Sequence, residues 1–236
     1  MRLASAFVLL SALAAPALAQ DALAQDAAPP AGAPAADASA PAADAPPAAT
    51  AAPAAPAAPA IDPEAPAGDY VLDQEHSAIV FSYDHLGSST SRGTIRGVSG
   101  TITLDPAAPA NSKVDIAFPL SAIQTVSRQL DEHLFGPDLF DGAAPATAVT
   151  FTSTAVEPTG PDTARVTGDL LLNDVTAPVT LDVTLRRLGK HPMTGQPSAG
   201  FDITGSLKRS DFGLGAFAPA IGDEVGLEIS VEAAKG

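Results

Sequence analysis

Four histidines, His76, His85, His133 and His191, are the side chains best suited to hold a metal or move a proton near neutral pH. Asp131, two positions before His133, is a carboxylate able to orient an imidazole. No pair of these histidines has the His-x-x-x-His spacing or a comparable ligand spacing, and His191 stands in a Pro/Gly loop. Ser77 follows His76, but neighbours on a strand face opposite sides, so the two do not form a nucleophile and its base. A metal-dependent or hydrolytic enzyme built on His76, His85, His133 and Asp131 therefore needs the fold to gather distant residues. The other use of these imidazoles is to orient loops and a helix through hydrogen bonds to backbone groups. Arg209-Ser210-Asp211 offers a local ion pair to pin a loop, or a guanidinium for a phosphate.

Composition removes several chemistries outright. Without cysteine there is no disulfide framework, thiolate metal site, cysteine nucleophile or lipidated cysteine anchor. A net charge of −15 lacks the basic footprint that nucleic acid requires, so no nucleic-acid partner is expected.

The elements that must position these residues occupy only part of the 236-residue chain. Arg2, a short apolar run through Ala15 and the Ala17-Leu18-Ala19 end make residues 1–19 a cleaved secretory signal. Between residues 20 and 67, 35 of 48 residues are Ala or Pro, with no Lys, Arg or aromatic. Such a stretch cannot bury enough surface to offset its ordering entropy, so it reads as a disordered spacer. One domain remains, 68–236, with 21 acidic residues against 11 basic ones. The expected location is the periplasm.

Eight segments of the domain alternate with period 2, each with one apolar face. The faces are Ile79/Phe81/Tyr83, Ile102/Leu104, Val114/Ile116/Phe118/Leu120, Val149/Phe151 and Val166/Gly168/Leu170/Leu172. Val179/Leu181/Val183/Leu185, Phe201/Ile203/Gly205/Leu207 and Val225/Leu227/Ile229/Val231 complete the set. A mismatch between Ile95 and Val98 predicts a bulge or bend near Gly97. Val126, Leu130 and Leu134 are spaced for one short helix, with Thr125 or Ser127 as cap and Gly136-Pro137 as stop, covering an end of the sheet structure. Eight one-faced antiparallel strands make a sandwich or a closed barrel, and closure removes exposed edges. Small inward residues such as Gly168 and Gly205 leave room inside. A greasy cavity and a dry, filled core of a structural or interaction domain fit this pattern equally.

Longer motifs run through the domain in order. They are Tyr70-Val71-Leu72-Asp73 with His76-Ser77, Phe81 and His85-Leu86-Gly87; Thr125, Asp131 and His133-Leu134 with Asp138-Leu139-Phe140-Asp141; and Phe151 with Ser153-Thr154. Thr167-Gly168-Asp169-Leu170, Val175-Thr176 with Pro178-Val179-Thr180-Leu181, and Arg209-Ser210-Asp211-Phe212-Gly213 follow. Together they resemble the YceI-like family of periplasmic polyisoprenoid-binding proteins. The resemblance implies an all-β, eight-stranded antiparallel lipocalin-like barrel whose apolar tunnel binds, stores or transports a polyisoprenoid or isoprenoid quinone. It implies no catalytic residue and no cofactor beyond the bound lipid. On the inward faces, the tunnel lining is Ile79, Phe81, Tyr83, Ile102, Ile116, Phe118, Val149, Phe151, Val166, Leu170, Val183, Phe201, Ile203, Leu227 and Ile229. Tyr83 carries the one hydroxyl among these inward aromatics, suited to a head group, to solvent or to a backbone carbonyl. Transient contact with a membrane or a membrane redox complex is compatible with such a carrier, and oligomeric state stays open, a homodimer included. The chain departs from the family pattern twice. Leu130-Asp131 replaces an Arg-Asp pair, with Arg128 displaced, and Asn173-Asp174 replaces a His-Gly turn.

Overall fold

A computed structural model describes residues 60–236. The expected signal, and the linker up to residue 59, lie outside the described residues. All eight alternating runs are strands, and they close on themselves.

Three of the eight walls are broken in the middle. The first consists of β2 (Gly68–Leu72) and β3 (Ala78–His85), the second of β4 (Ser89–Arg96) and β5 (Ser99–Leu104), the third of β6 (Lys113–Pro119) and β7 (Ile123–Gln124). β8 (Ala148–Pro158), β9 (Thr163–Leu172), β10 (Val175–Lys190), β11 (Pro197–Lys208) and β12 (Glu224–Lys235) are continuous. Each wall pairs antiparallel with the next, and β12 closes the barrel by pairing with β2 at Lys235↔Tyr70 and with β3 at Leu227↔Phe81. Closure leaves only short stretches of edge on these walls, and β1 (Ala60–Ile61) pairs with one of them on β10.

Two of the breaks have a local cause in the chain. Between β4 and β5, Gly97 takes φ +67° and Gly100 φ +151°, the bend anticipated near Gly97. Between β2 and β3, Ser77 is 3% exposed; its Oγ donates to the Glu232 carbonyl (3.2 Å) and accepts from the Glu232 amide (3.1 Å). The side chain thus supplies the ladder bonds that the interrupted backbone cannot. One-residue shifts at Ser153/Ala155 in β8 and Leu185/Arg187 in β10 reverse the parity of the alternation. Val156 and Leu188 consequently still face inward beyond the bulges.

The helix α1 (Arg128–Leu134) lies in the connection from β7 to β8. Ser127 caps it by accepting from the Leu130 amide, and Gly136 follows its end. This start leaves Val126 outside the helix and 72% exposed, so the anticipated apolar stripe is reduced to Leu130 and Leu134.

The N-terminal boundary also differs. Strand pairing begins at Ala60, eight residues before Gly68, where β1 (Ala60–Ile61) adds parallel to β10 at Arg187 and Leu188. The Asp62 amide donates to the Leu188 carbonyl (2.8 Å), Ala65 is 8% exposed, and the fully buried Tyr70 donates from its hydroxyl to the Pro66 carbonyl (2.7 Å). Composition alone assigned this Ala/Pro stretch to the spacer; backbone bonds and one buried methyl attach it to the barrel.

Candidate functional site: an apolar cavity along the barrel

Alternation along each strand sends one face inward, and the register sets those faces against one another: Phe81↔Leu227, Ile116↔Phe151, Phe151↔Leu170 and Val183↔Ile203. A filled core would bury such residues. Here Ile79, Phe81, Ile116, Phe118, Phe151, Leu170, Val183, Ile203, Leu227 and Ile229 are only partly buried, because their inner surfaces border a cavity of about 820 Å³. The cavity settles the choice between hollow and solid interior, and its size falls within the roughly 300–1,000 Å³ of small-molecule pockets. The structure places all fifteen residues read from sequence as lining on its wall.

The glycines act differently from the sequence reading. A Cβ on Gly93 would lie 2.1 Å from Phe81 Cζ, and one on Gly168 2.4 Å from Phe151 Cζ. Each ring therefore lies flat over a glycine on the neighbouring strand. Gly205 accepts Leu181 in the same way, at 2.6 Å. The space these glycines vacate is taken by side chains pressed to the wall, and the bore stays open as a result. Phe81 and Tyr83 continue the flat lining, stacked at 6.5 Å and 11°.

The two ends are built unlike each other. At the end carrying β1 and both the β5–β6 and β8–β9 connections, Tyr70, Leu72, Ile102, Leu188 and Phe201 pack as a buried cluster, and the cavity also reaches Pro106 and Pro109 of the first connection and Gly160 and Pro161 of the second. There burial pushes the Tyr70 hydroxyl pKa up, and the Lys235 ammonium sits 5.4 Å from the ring centre. The opposite end, which we call the mouth, is formed by the β3–β4 hairpin, α1, the β9–β10 turn and the β11–β12 loop. Leu86, Leu130, His133, Leu134, Phe217 and Ile221 from these connections border the cavity. Helical spacing had marked Leu130 and Leu134; Leu86, Phe217 and Ile221 stand in loops, where their only sequence signal is large apolar residues among turn formers.

The polar candidates separate. His76 precedes β3 by two residues and His85 ends it, and the eight residues of the strand span about 25 Å. His76 is exposed and pairs with Asp73 at 2.8 Å, which raises the imidazole pKa and lowers that of the carboxyl. His191 Nδ1 lies 3.3 Å from the amides of Met193 and Thr194, which cap it in its own turn. His85 and His133 border the mouth, the latter 6.0 Å from the Phe217 ring. Among the described residues no group of three or more His, Asp or Glu is placed to hold a metal. Asp131 does not serve an imidazole: its Oδ1 accepts from the Thr125 amide (2.6 Å) and hydroxyl (2.7 Å).

Arg209 is likewise committed. Its guanidinium donates to the carbonyls of Leu214, Ala216, Ile221 and Gly222, which leaves nothing for a phosphate. The acid that fixes this loop is Asp223 rather than Asp211; it accepts from the Ser210 hydroxyl (2.7 Å) and amide (2.9 Å), bonds that lower its pKa. Tyr83 is the exception, since its hydroxyl makes no hydrogen bond among the described residues although the side chain faces the cavity.

A model of the YceI-like domain matches residues 70–233, the whole barrel from β2 to β12. The chain belongs to the YceI-like family. Protein YceI of Escherichia coli O157:H7 is 39% identical over 170 residues, covering 71% of this chain and 87% of its own. The UPF0312 protein of Pseudomonas syringae pv. syringae (strain B728a) is 38% identical over 171 residues, covering 72% and 88%. The Campylobacter jejuni YCEI protein superposes with a TM-score of 0.57 at 27% identity, over 65% of this chain and 90% of that one. Burkholderia cenocepacia BcnA shares the fold at a TM-score of 0.60 and 23% identity, over 69% and 99%. A polyisoprenoid binding domain from Saccharophagus degradans, implicated in plant cell wall breakdown, shares it at 0.53 and 16%, over 71% and 98%.

Several residues that carry the YceI-like resemblance are joints of the barrel. Ser77 bridges a wall break, Asp131 ties Thr125 to the helix, and Arg209 holds the mouth loop. Both departures from the family pattern are absorbed locally. Arg128 pairs with Glu132 at 3.0 Å on the surface, so Asp131 has no arginine partner. Asn173 and Asp174 take φ 53° and 58°, the left-handed pair of a two-residue hairpin.

Proposed function

We propose that this YceI-like protein is a non-catalytic carrier that binds, stores or transports a polyisoprenoid or isoprenoid quinone in the barrel interior. The observation that supports this most is the 820 Å³ cavity, whose wall is Val, Ile, Leu and Phe along the length of the barrel. Burial of each ligand methylene contributes about 0.8 kcal/mol, offset in part by ordering of the chain. A branched hydrocarbon suits such a wall because it asks for no hydrogen bond. Tyr83, with its unpartnered hydroxyl toward the mouth, is positioned to donate to an oxygen of the head group. The fold shared with a polyisoprenoid binding domain supports the same ligand class. The leader-like residues 1–19 support export, with the periplasm as the site of action.

The test is to purify the protein from its own host, extract it and identify co-purifying lipid by mass spectrometry, then measure uptake of added isoprenoid quinone. Recovery of an isoprenoid or quinone is expected. Phe81→Asp and Phe151→Asp should abolish uptake while the barrel's circular dichroism persists. Protein recovered repeatedly without lipid and unable to take up quinone overturns the reading.

A further inference from the structure

Five of the eight large apolar residues exposed among the described residues gather at the mouth: Leu86 (59%), Val126 (72%), Leu130 (39%), Val175 (36%) and Phe217 (50%). They come from three separate connections and the first residue of β10, so sequence adjacency does not account for the grouping. Leu86, Leu130 and Phe217 also border the cavity, which makes the patch the outer continuation of its lining.

Two of these side chains are held out at a backbone cost. Leu86 has φ 60° and Phe217 φ 66°, left-handed conformations that bulky residues rarely adopt and that concentrate where function over-rides local preference. The surrounding bonds make both tips rigid. The Leu86 amide donates to the Ala220 carbonyl (2.8 Å), the Ile221 amide to the Phe217 carbonyl (2.9 Å), and Arg209 clamps the carbonyls around them.

We propose that the mouth docks transiently on a zwitterionic lipid bilayer, with these five side chains entering the headgroup layer, so that a ligand passes between membrane and cavity without crossing water. The inference rests on the lipid-carrier reading for its purpose but on the patch for its existence. Charge selects the occupant. Asp138, Asp141, Asp174 and Asp211 lie on the mouth connections and Asp84 near the end of β3, while Arg128 is paired with Glu132, Arg209 is spent on carbonyls and Lys208, at the end of β11, faces the Asp223 carboxylate. That acidic rim repels an anionic surface, and it repels the same face of a second copy. The chain's own spacer is a poor cover, because residues 20–59 contain a single large apolar side chain, Leu23, and join the barrel at the end away from the mouth.

The absence of tryptophan gives a clean probe. In the full chain, Phe217→Trp should shift its emission to the blue with phosphatidylcholine vesicles and less with phosphatidylglycerol vesicles at low salt. Val71→Trp, on the outer face of β2, should not shift. Val126→Asp/Val175→Asp alters two mouth residues that do not touch the cavity; it should slow transfer of a short-chain isoprenoid quinone from vesicles about tenfold and leave uptake from dilute solution unchanged. No shift for Phe217→Trp, an equal shift for Val71→Trp, or a shift that follows protein concentration without vesicles overturns the proposal. Transfer from vesicles unaffected by the double Asp variant overturns it as well. A mouth-specific shift together with no quinone uptake from either source sustains docking and removes the carrier reading instead.

Discussion

Tyr83 separates binding from folding at the level of one atom. Its hydroxyl has no partner among the described residues, so Tyr83→Phe removes no intramolecular bond. Denaturant midpoints should coincide with the parent's, whereas quinone affinity should fall about 2- to 10-fold, the 0.5–1.5 kcal/mol of one hydrogen bond. Equal affinities would place the head group elsewhere. The His76–Asp73 pair shows the opposite case, a polar contact that serves only the chain. The raised imidazole pKa means its ionic contribution is complete below the unfolded histidine value and disappears as pH rises through the folded one. The lowered carboxyl pKa means the Asp73 contribution is present above the unfolded carboxyl value and disappears as pH falls through the folded one. Asp73→Asn should therefore return the His76 titration toward 6.5, read by NMR, and its stability difference should be confined to the window between the two folded values. Both groups are exposed, so the effect on stability is small.

Elements obey a rule that single residues do not display, namely that a ring and a glycine on adjacent strands form one unit of wall. On Gly93 a Cβ would meet Phe81 Cζ, which can swing away, and the Gln124 carbonyl at 2.5 Å, which cannot. Gly168 faces Phe151 and the Thr152 carbonyl at 2.6 Å in the same manner, whereas the first obstacle at Gly205 is the flexible end of Leu181. Gly93→Ala and Gly168→Ala should each cost about 1–3 kcal/mol by overpacking and also reduce ligand capacity as the ring tilts into the bore. Gly205→Ala should be the mildest. Urea unfolding with quinone titration of all three checks the order. This is also where sequence stopped being informative. Period-2 alternation identified the strands and their inward faces because burial on one side leaves a direct mark on residue choice. It could not tell that Gly168 makes room for Phe151 rather than for a ligand, since the relation crosses strands and depends on register. Loop residues of the mouth, such as Leu86 and Phe217, were equally silent, because their placement follows from left-handed turns and the Arg209 clamp rather than from any periodic pattern.

At the scale of the molecule, a hollow barrel gives up the packing that would stabilise a solid one, so its remaining core must be concentrated somewhere. It forms two clusters: Leu120, Phe140, Val149, Val179, Leu181, Phe212 and Leu214 on the mouth side, and a plug at the other end, where Tyr70, Leu72, Ile102, Leu188, Phe201 and Ala65 pack together. Residues 60–67 form the outer layer of that plug. β1 covers a stretch of β10 edge beyond its pairing with β9, Ala65 is buried beneath, and Pro66 takes the Tyr70 hydroxyl. A chain starting at Gly68 would lose the Tyr70–Pro66 hydrogen bond, at about 0.5–1.5 kcal/mol, lose the burial of Ala65 and bare two backbone positions of β10. A chain starting at Ala60 keeps every one of these bonds. Thermal unfolding of the two truncations against the chain from residue 20 should show the Ala60 start melting with the longer protein and the Gly68 start several degrees lower. Because the plug lies opposite the mouth, quinone affinity measured well below the transition should be the same for all three. A loss of affinity in the Gly68 start alone would show that the plug and the bore are mechanically one body.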